Sequence, residues 1–104
     1  MIPLPIVFLD PGHGGKDPGA IGPTGLRESE MALDVCNRAA RLLSGLVDCR
    51  LTRDTDIFLD LWERPAMANA AGAKLFVSYH FNAAPSNPIS SWEVFTTPGQ
   101  NNSD

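Results

Sequence analysis

The stretch Ile6-Val7-Phe8-Leu9-Asp10-Pro11-Gly12-His13-Gly14-Gly15 decides the fold. Its apolar run follows Pro5 and is halted by Pro11-Gly12. That pattern predicts a strand over 6–10 buried on both faces, the habit of a parallel sheet. The turn after it carries His13, one of only two histidines in the chain.

Beyond the strand, residues 11–27 hold six glycines and three prolines and are predicted to form a loop. Ordered loops of that length in small domains tend to be functional. From Ser29 to Ser44 the pattern turns helical: Ala32, Val35, Cys36, Ala39, Leu42, Leu43 and Leu46 recur at three- and four-residue spacing, with Gly45 as the stop. Residues 47–52 alternate as a strand. Asp60 and Glu63 have the spacing of a capping box for a second helix through Leu61, Met67, Ala68 and Ala71, ending at Gly72. Pro65 sits awkwardly inside it, so the helix is expected to start late or with an irregular turn. Residues 74–80 form another buried strand closed by His80, the second histidine. Trp92 to Thr97 alternates as a fourth strand, and the polar residues 98–104 are expected to be a mobile tail. The order β-α-β-α-β-β gives an α/β fold, a mostly parallel open sheet flanked by helices.

Composition narrows the class. The 104 residues amount to one small domain or part of one, with 43% hydrophobic residues and a net charge of −4. Eight scattered Lys and Arg residues argue against nucleic-acid binding. No apolar run is long enough to span a membrane. The start, Met1-Ile2-Pro3-Leu4-Pro5, lacks the basic region and cleavage site of a signal peptide, so work outside the cytoplasm would need an export route from elsewhere. Cys36 and Cys49 lack metal-type spacing and read as two buried structural thiols.

The chemistry gathers at strand ends. In a parallel sheet His13 and His80 lie on the same rim, where ligands of open α/β sheets collect. Glu28, at the mouth of the first helix, reaches the same place from the long loop. Two imidazoles and a carboxylate are the protein half of an open zinc site that keeps a position for water. Each also has a plainer role. A histidine after a strand is often a hydrogen-bonded turn residue, and Glu28 and Glu30 suit a helix start by charge alone. Asp10 and Asp17 read as turn formers. Asn82, two residues past His80, is a candidate substrate contact or an ordinary loop residue. A phosphate loop at Gly12–Asp17 is excluded, because the first glycine is too close to Lys16 and Asp17 stands where Ser or Thr is needed.

At these residues the chain resembles the zinc-dependent N-acetylmuramoyl-L-alanine amidases of bacterial cell-wall remodelling and phage lysis. The carrying blocks run in family order: Leu9 to Ala20, Gly25-Leu26-Arg27-Glu28, Leu51-Thr52-Arg53, Arg64 with Ala68-Asn69-Ala70, Ser78-Tyr79-His80-Phe81-Asn82-Ala83, and Trp92-Glu93-Val94-Phe95. The resemblance implies Zn²⁺ held by His13, Glu28 and His80. The implied reaction cleaves the amide between N-acetylmuramic acid and L-alanine of peptidoglycan, at the bacterial cell wall in periplasmic or extracellular space. It also implies that Asn82 and its loop touch substrate. Tyr79, Phe81, Pro65 and Ser91 depart from the family pattern.

The largest departure is length. The resemblance covers the N-terminal half to two-thirds of an amidase domain, so residues 1–97 are expected to be an incomplete one. The family's second glutamate, which assists proton transfer, lies beyond residue 104, and Glu93 falls where the family has a structural glutamate. The catalytic acid/base is therefore unassigned. A site without it is expected to bind metal yet hydrolyse poorly, since such a group is worth about 10²–10⁴ in rate. An unpaired last strand would favour self-association through the exposed sheet edge. The competing readings are a catalytically impaired peptidoglycan-binding module and a zinc peptidase cutting another amide.

Overall fold

A computed structural model describes residues 2–81. Its elements, in chain order, are β1 (Ile6–Pro11), α1 (Glu28–Leu42), β2 (Asp48–Leu51), α2 (Glu63–Ala71) and β3 (Leu75–Tyr79). The three strands form one parallel sheet in the order β2-β1-β3. The α/β architecture expected from the sequence is therefore present. The expected fourth strand at 92–97, the tail at 98–104, Asn82 and Glu93 lie outside the described residues.

Strand β1 is central because its run is apolar on both faces, and residues 7–11 are all buried. The pleat divides its side chains. Val7 and Leu9 pack with Cys36 of α1, and Cys49, Leu51, Val77 and Tyr79 close around them. Asp10 points to the opposite face, where it meets Arg64 of α2. The register aligns Leu9 with both Leu51 and Val77, and Asp10 with Ser78. Because α1 leads to one side of β1 and α2 returns to the other, β1 is a switch point of the sheet, where a crevice opens at the strands' carboxyl ends.

Several expectations need correcting. Helix α1 stops at Leu42, and Gly45 instead supplies the left-handed residue (φ 83°) of the turn closed by Leu46 N–H to Leu43 C=O. Leu42, the last residue of α1, and Leu46, beyond it, are exposed rather than part of a buried stripe. Strand β3 is not fully buried: Leu75 is 55% exposed, because β3 is an edge of the sheet among the described residues. Cys36 is buried, but Cys49, on β2 at an edge of the sheet among the described residues, is only partly so; both are free thiols.

At α2 the capping box is half built. The Glu63 carboxylate accepts the Asp60 N–H at 2.8 Å, while Trp62 occupies the N-cap without a side-chain bond. The helix starts late enough for Pro65 to sit in its first turn, where a missing N–H costs nothing. Gly72 ends it in the left-handed conformation (φ 74°) as expected.

Candidate metal centre

Parallel strands bring the two histidines to one rim. His13 lies just beyond β1, and His80 directly follows β3. Their rings meet edge to face, with centroids 4.9 Å apart. Glu28, the first residue of α1, is buried beneath them. His13 Nε2 lies 2.9 Å from Glu28 Oε2, and His80 Nδ1 lies 3.3 Å from each of those atoms. The three residues thus converge through one atom apiece, all within 4.8 Å of one another.

The loop of 11–27 is shaped for this convergence. A Cβ on Gly12 would sit 2.5 Å from the His80 ring, so only glycine lets that imidazole lie over the turn. Gly19 combines a φ of 68° with close approach to His13 and Glu28. His13 itself is left-handed (φ 61°), a conformation rare for a residue with a side chain. Such strain persists only where surrounding contacts impose it, and it gathers at functional sites.

Hydrogen bonds orient the three side chains and hold both carboxylates ionised. His13 Nδ1 faces Asp17 Oδ2 at 2.8 Å, and the His13 hydrogen bond holds the Asp17 carboxyl below its usual range despite a small opposing effect of burial. An ionised Asp17 is an acceptor for a proton on Nδ1, and a cation bound at Nε2 would stand where a proton otherwise bridges that nitrogen to Glu28. Burial pushes the Glu28 carboxyl up. The Ala20 and Phe81 amides, each donating at 3.0 Å, and the two histidines outweigh that and keep it below the ordinary range. A lone pair and a carboxylate oxygen 2.9 Å apart repel unless a proton or a cation lies between them.

The donor set fits zinc. Four-coordinate zinc with bonds of about 2.0–2.1 Å spaces its ligand atoms about 3.3 Å apart. The two separations to His80 Nδ1 equal that, and the third is slightly shorter. Nitrogen and oxygen donors with a carboxylate behind one histidine are the chemistry zinc takes. Beside the triad opens a cleft of about 560 Å³ whose walls include Phe58, Leu61 and Phe76.

Asp10 and Asp17 are not simple turn formers. Asp17 does close a turn onto the Gly19 N–H, but it also orients His13. Asp10 is buried and accepts from Thr52 Oγ1 (2.6 Å), Ser78 Oγ (2.6 Å) and Arg64 Nη1 (3.0 Å). The parts played by Arg53 and Arg64 escaped the sequence reading, which met them only as blocks of the resemblance. Both guanidiniums are buried and bond carbonyls of the loop. Arg53 holds Pro11, Gly12, Ser29 and Thr55, while Arg64 holds Pro11, His13 and Leu59. The available signal was Asp10 itself: a carboxylate within an apolar strand needs a cationic partner.

A family profile described as N-acetylmuramoyl-L-alanine amidase matches residues 7–104, nearly the whole chain. This chain belongs to that family. Among its relatives, the endolysin of Bacillus phage SPP1 is 45% identical over 82 residues, covering 77% of this chain and 30% of that protein. N-acetylmuramoyl-L-alanine amidase AmiA of Escherichia coli K12 is 43% identical over 76 residues, 72% of this chain and 26% of that protein. The solved structure of N-acetylmuramoyl-L-alanine amidase AmiC2 of Nostoc punctiforme superposes with a TM-score of 0.77 at 42% identity, covering 81% of this chain and 47% of that one. The chain therefore spans less than half the length of each of these family members.

Proposed function

We propose that this chain is the zinc-binding portion of a peptidoglycan amidase, with His13, Glu28 and His80 as the metal ligands. The reaction is hydrolysis of the amide between N-acetylmuramic acid and L-alanine, carried out at the bacterial cell wall. The observation that carries the reading is the convergence of His13 Nε2, Glu28 Oε2 and His80 Nδ1 at 2.9–3.3 Å in a chain of this family. Zinc bound there would supply Lewis acidity toward the scissile carbonyl and a water of lowered pKa.

The chain's own residues prepare that chemistry. Asp17 keeps the proton on His13 Nδ1, so Nε2 stays a donor toward metal. The Ala20 and Phe81 amides hold the Glu28 carboxylate in place and ionised. The neighbouring cleft, walled in part by Phe58, Leu61 and Phe76, offers a surface to the non-reacting part of a substrate.

A second reading has one observation in its favour. Among the described residues, both carboxylates nearest the site are already engaged, Glu28 by three partners and Asp17 by His13 and Gly19. Both carboxyls are held below their ordinary range, which makes each a weak proton acceptor. This favours a module that holds metal and recognises peptidoglycan without efficient hydrolysis. Incubation of the zinc-loaded chain with purified sacculi separates the two. Released stem peptides with a free L-alanine amine, identified by mass spectrometry, establish the amidase; binding without release establishes the module. Cleavage at a different bond overturns both in favour of a peptidase.

A further inference from the structure

We propose that the buried Asp10–Arg64 pair is the positioning element of the metal centre, setting the backbone of both histidines from one point. The inference rests on the reading of His13, Glu28 and His80 as ligands and adds residues that touch no metal. Arg64 Nη2 donates to the His13 carbonyl at 2.9 Å, and the same guanidinium donates to Pro11 C=O at 2.7 Å. These two bonds clamp the turn on both sides of Gly12 and impose the left-handed conformation on His13. On the other side, Asp10 Oδ2 accepts from Ser78 Oγ at 2.6 Å, two residues before His80. Asp10 Oδ1 takes Arg64 and Thr52, so both carboxylate oxygens are satisfied.

The pair thus ties the carboxyl ends of β1 and β3 to α2 and to the His13 turn. It is 3–5% exposed, which keeps its bonds strong and its geometry single. A guanidinium is required because three carbonyls and one carboxylate are met by one planar fork, which an ammonium cannot span. Ligand positions held this way are set before metal arrives, and outer groups of that kind typically change metal affinity by about 10–100-fold when altered.

The test compares zinc affinity, the cobalt(II) absorption spectrum and metal-free thermal stability of the full chain and its variants. R64K keeps the charge and loses the fork. V7A, in the core at the far end of β1, is the control for a merely structural loss. S78A removes one part-buried bond to Asp10 and serves where R64K fails to fold. The expected result is weaker zinc binding for R64K by about 10–100-fold with an altered cobalt spectrum. S78A shifts both in the same direction by a smaller factor, and V7A loses stability while keeping the wild-type affinity and spectrum. Wild-type affinity and spectrum in the folded R64K and S78A variants overturn the proposal. If H13A, E28A and H80A abolish binding in that case, the ligand reading survives alone. If those three also bind as wild type, both readings fall.

Discussion

His13 Nδ1 lies 2.8 Å from Asp17 Oδ2, and this single bond selects which ring nitrogen faces Glu28 and His80. Asp17 is four residues along the same loop and partly exposed, so it orients His13 without belonging to the core.

The first prediction follows from that bond. Asp17→Asn can present an amide N–H to Nδ1 and shift the ring proton to Nε2, where metal must bind. Zinc affinity is expected to fall about 10–100-fold. Thermal stability should change little, as at most surface positions. A competition titration with a chromophoric chelator, alongside a melt, checks both. Equal affinity would show that Asp17 does not set the tautomer.

Gly12→Ala tests the space under His80. A Cβ there would overlap the ring at 2.5 Å, and His80 is exposed enough to swing away. The expected outcome is a folded chain with weakened zinc binding. A crystal structure of the variant with His80 unmoved would contradict it.

The two carboxylate–arginine pairs of the sheet should behave oppositely. Asp10→Ala leaves Arg64 buried and unpaired, a loss of about 3–5 kcal/mol and hence a large share of a small domain's stability. Asp48→Ala removes an exposed partner of Arg50 and should leave the urea midpoint where it was. Similar midpoints for the two variants would refute the contrast.

Cys36 gives a pH dependence. Burial pushes its thiol from an ordinary 9 up to about 12, with Asp10 adding to the rise. The folded chain therefore keeps a proton that the unfolded chain releases. Its contribution to stability is complete below pH 9 and is lost as pH climbs toward 12. Cys49 and Tyr79, also raised by burial, act in the same direction. Urea unfolding across pH 8–11 should show a falling midpoint, and Cys36→Ala should flatten that fall without abolishing it. An unchanged slope in the variant would exclude Cys36 as a source.

Much of this was legible in the sequence for local reasons. The run Ile6–Leu9 has few options but a central strand, and Gly72 announces the end of α2. His13, Glu28 and His80 could be grouped because parallel strands share a rim. What stayed hidden depends on distant pairing. Asp10 finds Thr52, Arg64 and Ser78 at separations of 42, 54 and 68 residues, which no local pattern encodes. The exposure of Leu42, Leu46 and Leu75 escaped for the converse reason: periodicity marks an apolar face but not where its cover stops.

The most direct measurement is the zinc content of the purified chain, by elemental analysis, beside H13A, E28A and H80A. One zinc ion per chain, absent from all three folded variants, is the expected result. A folded wild-type chain that takes up no zinc, or three variants that retain it, would contradict the metal centre.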